Sequence, residues 1–415
     1  MNNAFFTKKL IQFYDSVFAI NQDKFDLKWA LHNSSHFRSG YFNFCQFGNH
    51  WYHSQLNQLS YKLNSKLWTF TLWKKFILPS LKSKMETTFL KHIPKDQQVA
   101  LKEPLNSLFR VIQNADARIG LMSFCEMALF INNMLLYIYQ TMELPLDLFH
   151  DIKDYQNQEN LTIFSEIDQE VQNHPKAFEI TLYLATLTNF FDILDHSTEY
   201  NASDLYEIIN QLLDDQEDIH YQHNHNTLVD FRYPKQLLQH KPKRILYEVD
   251  NSGEVIYDLL FINHLLSYGH KITIAAKELP CFNDVTINDL STLLQNPILR
   301  SLKNAHSQKQ LQLISNGNST LGKCLHLMSA DYKEAYLNAD LTILKGQAHF
   351  DAMPLFRQQK FKKFPISYKK PLLFLTGIRS NITKRIVRIF QGTTQFEGMM
   401  ILLFNYSHRN TYPWL

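Results

Sequence analysis

Glycine and proline are sparse in this 415-residue chain, at 11 and 13 residues, and they never gather into a linker-like tract. Two halves of different texture are therefore expected to pack against each other rather than swing on a tether, and the sequence carries no internal repeat. Cysteine is rarer still: Cys45, Cys125, Cys281 and Cys324 stand far apart with no CxxC pair. That spacing excludes a zinc knuckle and a disulfide framework, and fits a reducing, cytoplasmic setting. Excess charge is missing too. Lysine plus arginine come to 42 against 39 for aspartate plus glutamate, a net +3 without a long basic run. Nucleic acid demands a stronger electrostatic footprint, so a small-molecule partner is expected. The opening segment MNNAFFTKKLIQFYDSVFAI has no charged stretch leading into an apolar run and a small-residue cleavage site, so no signal peptide is expected. An uninterrupted apolar run of membrane-spanning length is also absent. The most apolar segment, Leu121 to Tyr139, is broken by Glu126, Asn132 and Asn133 and reads as a buried helix.

What the chain has is an ordinary 45% of hydrophobic residues, enough over this length for two or three domains with a sizeable core. From Met1 to about Asp230 apolar residues recur at helical spacing. Helices are expected over Phe5 to Ile20, Tyr52 to Leu81 (one or two), Leu105 to Ile112, Met122 to Thr141, and Pro175 to Leu194 with Pro175 at its start. Trp29, Trp51, Trp68 and Trp73 are read as core residues. Asp214, Asp215, Glu217 and Asp218 run into His220, His223 and His225. Their spacing matches no standard metal-ligand pattern and reads as a solvated helix end entering a loop.

From Leu228 short apolar runs alternate with helical patterns, which predicts an α/β fold, doubly wound about a mainly parallel sheet. The runs are Ile245 to Val249, Lys271 to Ala276, Leu311 to Ser315, Leu341 to Leu344 and Leu372 to Thr376. Helices are expected between them over Glu254 to Ser267, stopped by Gly269, over Ile287 to Leu294, capped by Thr286, and over Asp331 to Leu337. The expected division is a mostly helical N-terminal domain over 1–230 and an α/β domain over 231–415.

Asp250 and Asn251 follow the first run directly, and Ser252-Gly253 then turns the chain into a helix. Ligands bind at the carboxyl edge of such sheets. There the oxygens of Asp250 and Asn251 project, Gly253 lets backbone approach a ligand, and the helix start at Glu254 offers N–H donors to an anion. Asp284 follows the next run, and a right-handed crossover sets it beside Asp250. Two carboxylates and an amide oxygen suit a hard divalent cation, Mg²⁺ or Mn²⁺, with positions left for water and a substrate oxygen. The same Asp-Asn pair is also common turn chemistry. Lys345-Gly346-Gln347 ends the fourth run and places a cation and a permissive backbone at the same edge, as a phosphate ester requires. A surface lysine capping its own loop would leave the same trace. The third run is followed by Asn316-Gly317-Asn318-Ser319-Thr320, able to hydrogen-bond a polyol or phosphate, though loops of that composition are usually only turns.

The run Val249-Asp250-Asn251-Ser252-Gly253-Glu254, then Phe282-Asn283-Asp284-Val285-Thr286, then Ser315-Asn316-Gly317, then Ala339-Asp340-Leu341 leading to Lys345-Gly346-Gln347 agree in order and type with one family. Over Arg244 to Met353 the chain resembles the damage-control phosphatases, first catalogued as protein-of-unknown-function eighty-nine. The resemblance implies a helical N-terminal part packed on an α/β domain. It also implies a divalent metal, manganese or magnesium with cobalt and nickel as further candidates, on Asp250, Asn251 and Asp284, and hydrolysis of phosphomonoesters such as sugar phosphates or damaged phosphometabolites. In that reading Asp250, Asp284 and Lys345 are catalytic, and Gly253, Glu254, Asn316, Gly346, His349, Asp351 and Arg379 contact substrate. Attack by a metal-activated water and by Asp250 itself both remain open.

The chain departs from the family where Ala348-His349-Phe350-Asp351 stands in place of Gly-Asn-aromatic-Glu, so altered substrate contacts are expected there. Arg379 matches the family's basic position only loosely, and Asn224 to Asp230 is the nearest candidate for its polar helical motif. Two other functions fit parts of the pattern. An S-adenosylmethionine-dependent methyltransferase shares the strand, acid and helix order, but the first turn has a single glycine where a nucleotide loop would want several. A non-catalytic binding protein on the same fold is the other, motivated by His349 and Asp351. Nothing in the sequence bears on the oligomeric state.

Overall fold

A computed structural model of the chain describes residues 1–22, 78–84, 90, 93–115, 124–190, 202–214, 228–229, 231–323, 327–352, 371–378 and 398–404. The four early tryptophans, the histidine tract, Arg379, and most of the segments Tyr52 to Leu81 and Asn224 to Asp230 lie outside the described residues.

The chain divides into two compact units. The first comprises Met1–Leu148 with Ser319–Leu327 and Asp351–Ile366, and its described elements are helices: α1 (Asn3–Gln22), α2 (Leu78–Lys84), α3 (Lys95–Gln113) and α4 (Phe124–Thr141). In α3, Leu101, Leu105, Leu108 and Ile112 recur every three or four residues and are all buried, the stripe an amphipathic helix presents to a core. Among the described residues no helix is long and apolar enough to cross a membrane.

The second unit comprises Phe149–Asn318, Met328–Phe350 and Ser367–Leu415, and it carries the sheet. The sheet unit therefore begins well before the boundary expected at 230. Three helices join it: α5 (His150–Asn173), α6 (Ala177–Leu187), continued by a 3₁₀ turn over Thr188–Phe190, and α7 (Ala202–Asp214). Their buried faces, including Phe164, Ile180 and Ile209, share one apolar core with the strands. Helix α5 lies in the half expected to be mainly helical but is not among the segments singled out there. Its inward stripe begins Lys153, Asn157 before it becomes apolar at Leu161, Phe164 and Val171, so the periodicity is masked by polar residues.

The strands are β1 (Leu228–Val229), β2 (Arg244–Glu248), β3 (Lys271–Ala276), β4 (Leu311–Ser315), β5 (Leu341–Lys345), β6 (Leu372–Ile378) and β7 (Gly398–Phe404). They form one sheet in the order β1-β7-β6-β5-β2-β3-β4. Strands β2 to β6 are mutually parallel, β7 runs antiparallel to β6, and β1 lies parallel to β7. The expected α/β fold with a mainly parallel, doubly wound sheet is present. The near-continuous burial of β5 and β6 is what a sheet covered on both faces requires.

Between the strands lie α8 (Arg232–Gln239), α9 (Val255–Ser267), α10 (Ile287–Leu293), a 3₁₀ turn (Pro297–Leu299), α11 (Arg300–Ser307), α12 (Ala330–Asn338) and α13 (Gln347–Ala352). Gly269, with φ +79°, follows the end of α9, and Thr286 caps α10 through a reciprocal capping box with Asp289. From β2 the chain first builds outward to β3 and β4, then crosses back to place β5 on the other side of β2. The β2 and β5 carboxyl ends thus flank the point where strand order reverses, the crevice in which open α/β sheets bind ligands.

Candidate active site

Two loops at that crevice are bonded into one another. After β2, Asp250 accepts through its backbone carbonyl from Val285 N–H (2.8 Å), and Ser252 N–H donates to the Asn283 carbonyl (2.9 Å). Asn251 and Asp284 form an antiparallel bridge between the turn following β2 and the loop following β3. Asp250, Asn251 and Asp284, expected to be neighbours from crossover geometry, are thereby brought together. Lys277 stands against them, its Nζ 3.4 Å from Asp284 Oδ2. Burial works against the Lys277 ammonium, but Asp284, Glu248 and Asp250 outweigh it and hold its pKa above the usual lysine range.

Gly346, the first residue after β5, closes the crevice from the other side. Its φ is +88°, and a Cβ added there would stand 1.9 Å from Asp250 Oδ2. Only glycine lets the chain pass this close to the carboxylate. Asn189, in the 3₁₀ turn after α6, reaches the same group: its Nδ2 lies 3.2 Å from Asp250 Oδ2 and 3.1 Å from Glu254 Oε2. The amide is oriented by Gly377 N–H, which donates to its Oδ1 at 3.0 Å.

Lys345 departs from the expectation of an open cation facing substrate. It is the last residue of β5, not the first of the loop, and by strand alternation it shares a face with Leu341 and Ile343. Every position of β5 is buried, on either face, and the Lys345 side chain is fully buried with the rest. Nζ lies 3.1 Å from Glu254 Oε2 and 3.1 Å from Asp258 Oδ1 and also donates to the Ala185 carbonyl, which engages all three ammonium donors. Burial again works against the charge, and Asp258 and Glu254 overcome it, holding the Lys345 pKa above the usual range. Asp258, one turn beyond Glu254 on α9, is pushed up to about 7, first by burial and then by Glu254, against the opposing pull of Lys345 and of Tyr247, whose hydroxyl donates to it at 2.7 Å.

The Gly253 N–H, expected to face an anion, instead donates to Asn157 Oδ1 at 2.7 Å, because α5 lies against the turn. Glu254 Oε1 accepts from Asn251 N–H at 3.2 Å, so Glu254 braces the turn from inside. Asn316 follows β4, its backbone bonded to Ala276 and Ser329, and its buried Nδ2 meets no hydrogen-bond partner. His349, in α13, is buried with Nδ1 3.8 Å from Glu248 Oε2, which also accepts from the Tyr332 hydroxyl. The Asp351 backbone lies in α13 while its side chain is outside the described residues, as is Arg379 altogether.

Sequence reasoning missed Asn189, Lys277, Asp258, Glu248 and Asn157. Lys277 was legible, since it directly follows the apolar run of β3 at the ligand-binding edge. Asp258 carried a signal too, an acid within the apolar run Val255 to Leu266 and four residues after Glu254. Asn189 had none: it follows an apolar helix 61 residues before Asp250.

The donor set fits a hard divalent cation. Asp284, Glu248 and Asp250 surround Lys277, and Glu254 and Asp258 flank Lys345, so even with Asp258 pushed up to about 7 the acids outnumber the two ammonium groups. The buried Ser252 Oγ and Asn316 Nδ2 have no hydrogen-bond partner, and polar atoms so placed call for a ligand or water.

A family model described as "Damage-control phosphatase ARMT1-like domain" matches residues 77–386. A damage-control phosphatase from Pyrococcus horikoshii is 30% identical over 179 residues, 42% of this chain and 53% of that one. Another, from Arabidopsis thaliana, is 31% identical over 140 residues, 31% of this chain and 36% of that one. The matched part thus spans about half the length of the first relative and about a third of the second. The crystal structure of a DUF89-family protein from Pyrococcus horikoshii superimposes with a TM-score of 0.56 at 19% identity, covering 80% of this chain and 98% of that one, which is a likeness of fold.

Proposed function

Because the chain belongs to the damage-control phosphatase ARMT1-like family, we propose that it is a metal-dependent phosphatase acting on phosphomonoesters of small metabolites, with damaged phosphometabolites and sugar phosphates as the substrate class. The observation that carries this reading is the joining of the β2 and β3 loops, which gathers Asp250, Asn251 and Asp284 at the strand-order reversal. These three residues would hold the cation, Mn²⁺ or Mg²⁺ in preference, by carboxylate and amide oxygens. When bound, such an ion supplies charge stabilisation to the phosphoryl group and a more acidic water.

The remaining roles fall to the chain's own side chains. Asn189 and Gly346 fix the Asp250 carboxylate, one by a hydrogen bond and the other by close packing. Lys277 holds Asp284 and adds positive charge beside the position a phosphate would take. Lys345 acts indirectly: it pins Glu254, and Glu254 pins the Asn251 backbone. The Asn316 amide has donors to spare for a substrate oxygen. His349, where the family has an amide, is placed to alter selectivity among substrates.

The test is release of phosphate from a panel of phosphomonoesters by the purified protein with Mn²⁺, Mg²⁺, Co²⁺ or Ni²⁺, beside Asp250→Ala and Asp284→Ala. Activity in the parent that chelation abolishes and both substitutions remove is the expected result. Equal release by parent and variants would overturn the assignment.

A further inference from the structure

Helix α5 runs beside α9 and bonds to it along its length. Asn157 Oδ1 accepts from Gly253 N–H, Asn160 Oδ1 from the Tyr257 hydroxyl (3.0 Å), Asp168 Oδ1 from Asn263 Nδ2 (3.4 Å), and Gln172 Oε1 lies 3.0 Å from His264 Nδ1. The lower rungs join helix to helix and touch no loop of the site. The upper end is different. Asn157 grips the turn that carries Asp250 and Asn251, and one helical turn earlier Lys153 reaches a second loop.

Lys153 is buried, with Nζ 2.5 Å from Asp289 Oδ2. That same Oδ2 accepts from Thr286 N–H at 2.9 Å, closing the capping box of α10. Thr286 ends the loop that carries Asp284, and that loop is bonded to the Asp250 turn through Val285. Two residues four apart on one helix face thus hold the two loops that supply the oxygens of the site. A buried lysine and a buried asparagine would be costly without partners, and here the partners that offset that cost, Asp289 and the Gly253 N–H, both belong to the loops of the site.

We propose that α5 is the positioning element of the candidate metal site, with Lys153 and Asn157 as positioning residues that set the separation of the Asp250–Asn251 turn and the Asp284 loop. The inference rests on the proposed metal-dependent function for its ligand but not for its geometry. Residues that orient metal ligands from outside typically change metal affinity by about 10–100-fold when removed.

The experiment measures Mn²⁺ affinity by calorimetry and amide hydrogen exchange without metal, in the full-length parent, Asn157→Ala, Lys153→Met, Lys153→Arg and the lower-rung control Gln172→Ala. The expected result is about 10–100-fold weaker Mn²⁺ binding in Asn157→Ala and Lys153→Met, partial rescue in Lys153→Arg, and unchanged affinity in Gln172→Ala even where its melting temperature falls as far. Exchange should quicken in both 250–254 and 281–286 for either loop-gripping variant. Parent-like affinity in both variants, or an equal loss in Gln172→Ala, would overturn the proposal. Should the parent itself bind no Mn²⁺, the metal-dependent function falls, and exchange alone decides: quickening of both loops supports the positioning role, and its confinement to one loop per variant refutes it.

Discussion

Replacing Gly346 by alanine separates two effects that a single substitution usually mixes. The first is backbone strain. At φ +88° an alanine pays roughly 1–2 kcal/mol that glycine does not. The second is displacement of Asp250, since the new Cβ would stand 1.9 Å from Oδ2, so the carboxylate or the loop must retreat by about 1 Å, a misplacement that can cost on the order of 100-fold in rate. Gly269 supplies the control. Its φ is +79°, nearly the same, but a Cβ there meets nothing nearer than Pro242 Cγ at 3.6 Å. Gly269→Ala should therefore lose similar stability and keep its activity, while Gly346→Ala should lose activity by about 100-fold together with Mn²⁺ affinity. Denaturant melts, phosphate release with Mn²⁺ and calorimetry read the three quantities. A Gly346→Ala protein with parental turnover and metal affinity would refute the close approach, and an equal loss of activity in Gly269→Ala would refute the separation of the two effects.

Other outcomes follow from the buried charges. Asp258 takes a pKa of about 7 in the folded chain against an ordinary 3.8, so the folded state holds its proton after the unfolded state has released it, and this group's contribution to stability falls as pH rises from about 4 to 7. Asp258→Asn should flatten that part of the stability curve, and an unchanged slope in urea melts would count against the assignment. Lys345→Met leaves Glu254 and Asp258 buried without their ammonium and should cost about 3–5 kcal/mol near neutral pH, with a smaller loss at pH 5, where Asp258 is protonated. A loss independent of pH would show that the lysine acts by packing alone. Asn189→Asp puts a third carboxylate against Asp250 and Glu254, so activity should fall further than in Asn189→Ala, measured by phosphate release at saturating Mn²⁺. Adding EDTA should abolish turnover, and Mn²⁺ or Mg²⁺ should restore it, with the amount of ion needed read from a titration.

The sequence carried strands β2 to β6 because parallel strands inside a covered sheet leave short, largely apolar runs, as β5 and β6, buried at every position, show, whereas β7 was not expected. It carried the Asp250 turn because a strand, an Asp-Asn pair and a glycine form a local signal. Helix α5 escaped because its stripe starts with Lys153 and Asn157, residues whose burial makes sense only when Asp289 and Gly253 stand opposite. Lys345 was placed on the right strand but assigned to the wrong environment. One residue of strand length decides whether a terminal side chain is buried with its strand or joins the loop, and an apolar run does not report that last step.

By itself, then, the order of residues determined the α/β class, the edge of the sheet that carries the candidate site, and the three oxygen-bearing residues offered there, because these depend on periodicity, turn chemistry and the handedness of one crossover. The tertiary structure alone decided what surrounds them. Asn189 reaches Asp250 across 61 residues and Lys345 reaches the Ala185 carbonyl across 160, and Gly346 earns its place only from a carboxylate 96 positions earlier. Contacts of that span leave no local pattern, since any polar residue on an inward face reads alike until the opposite wall is known.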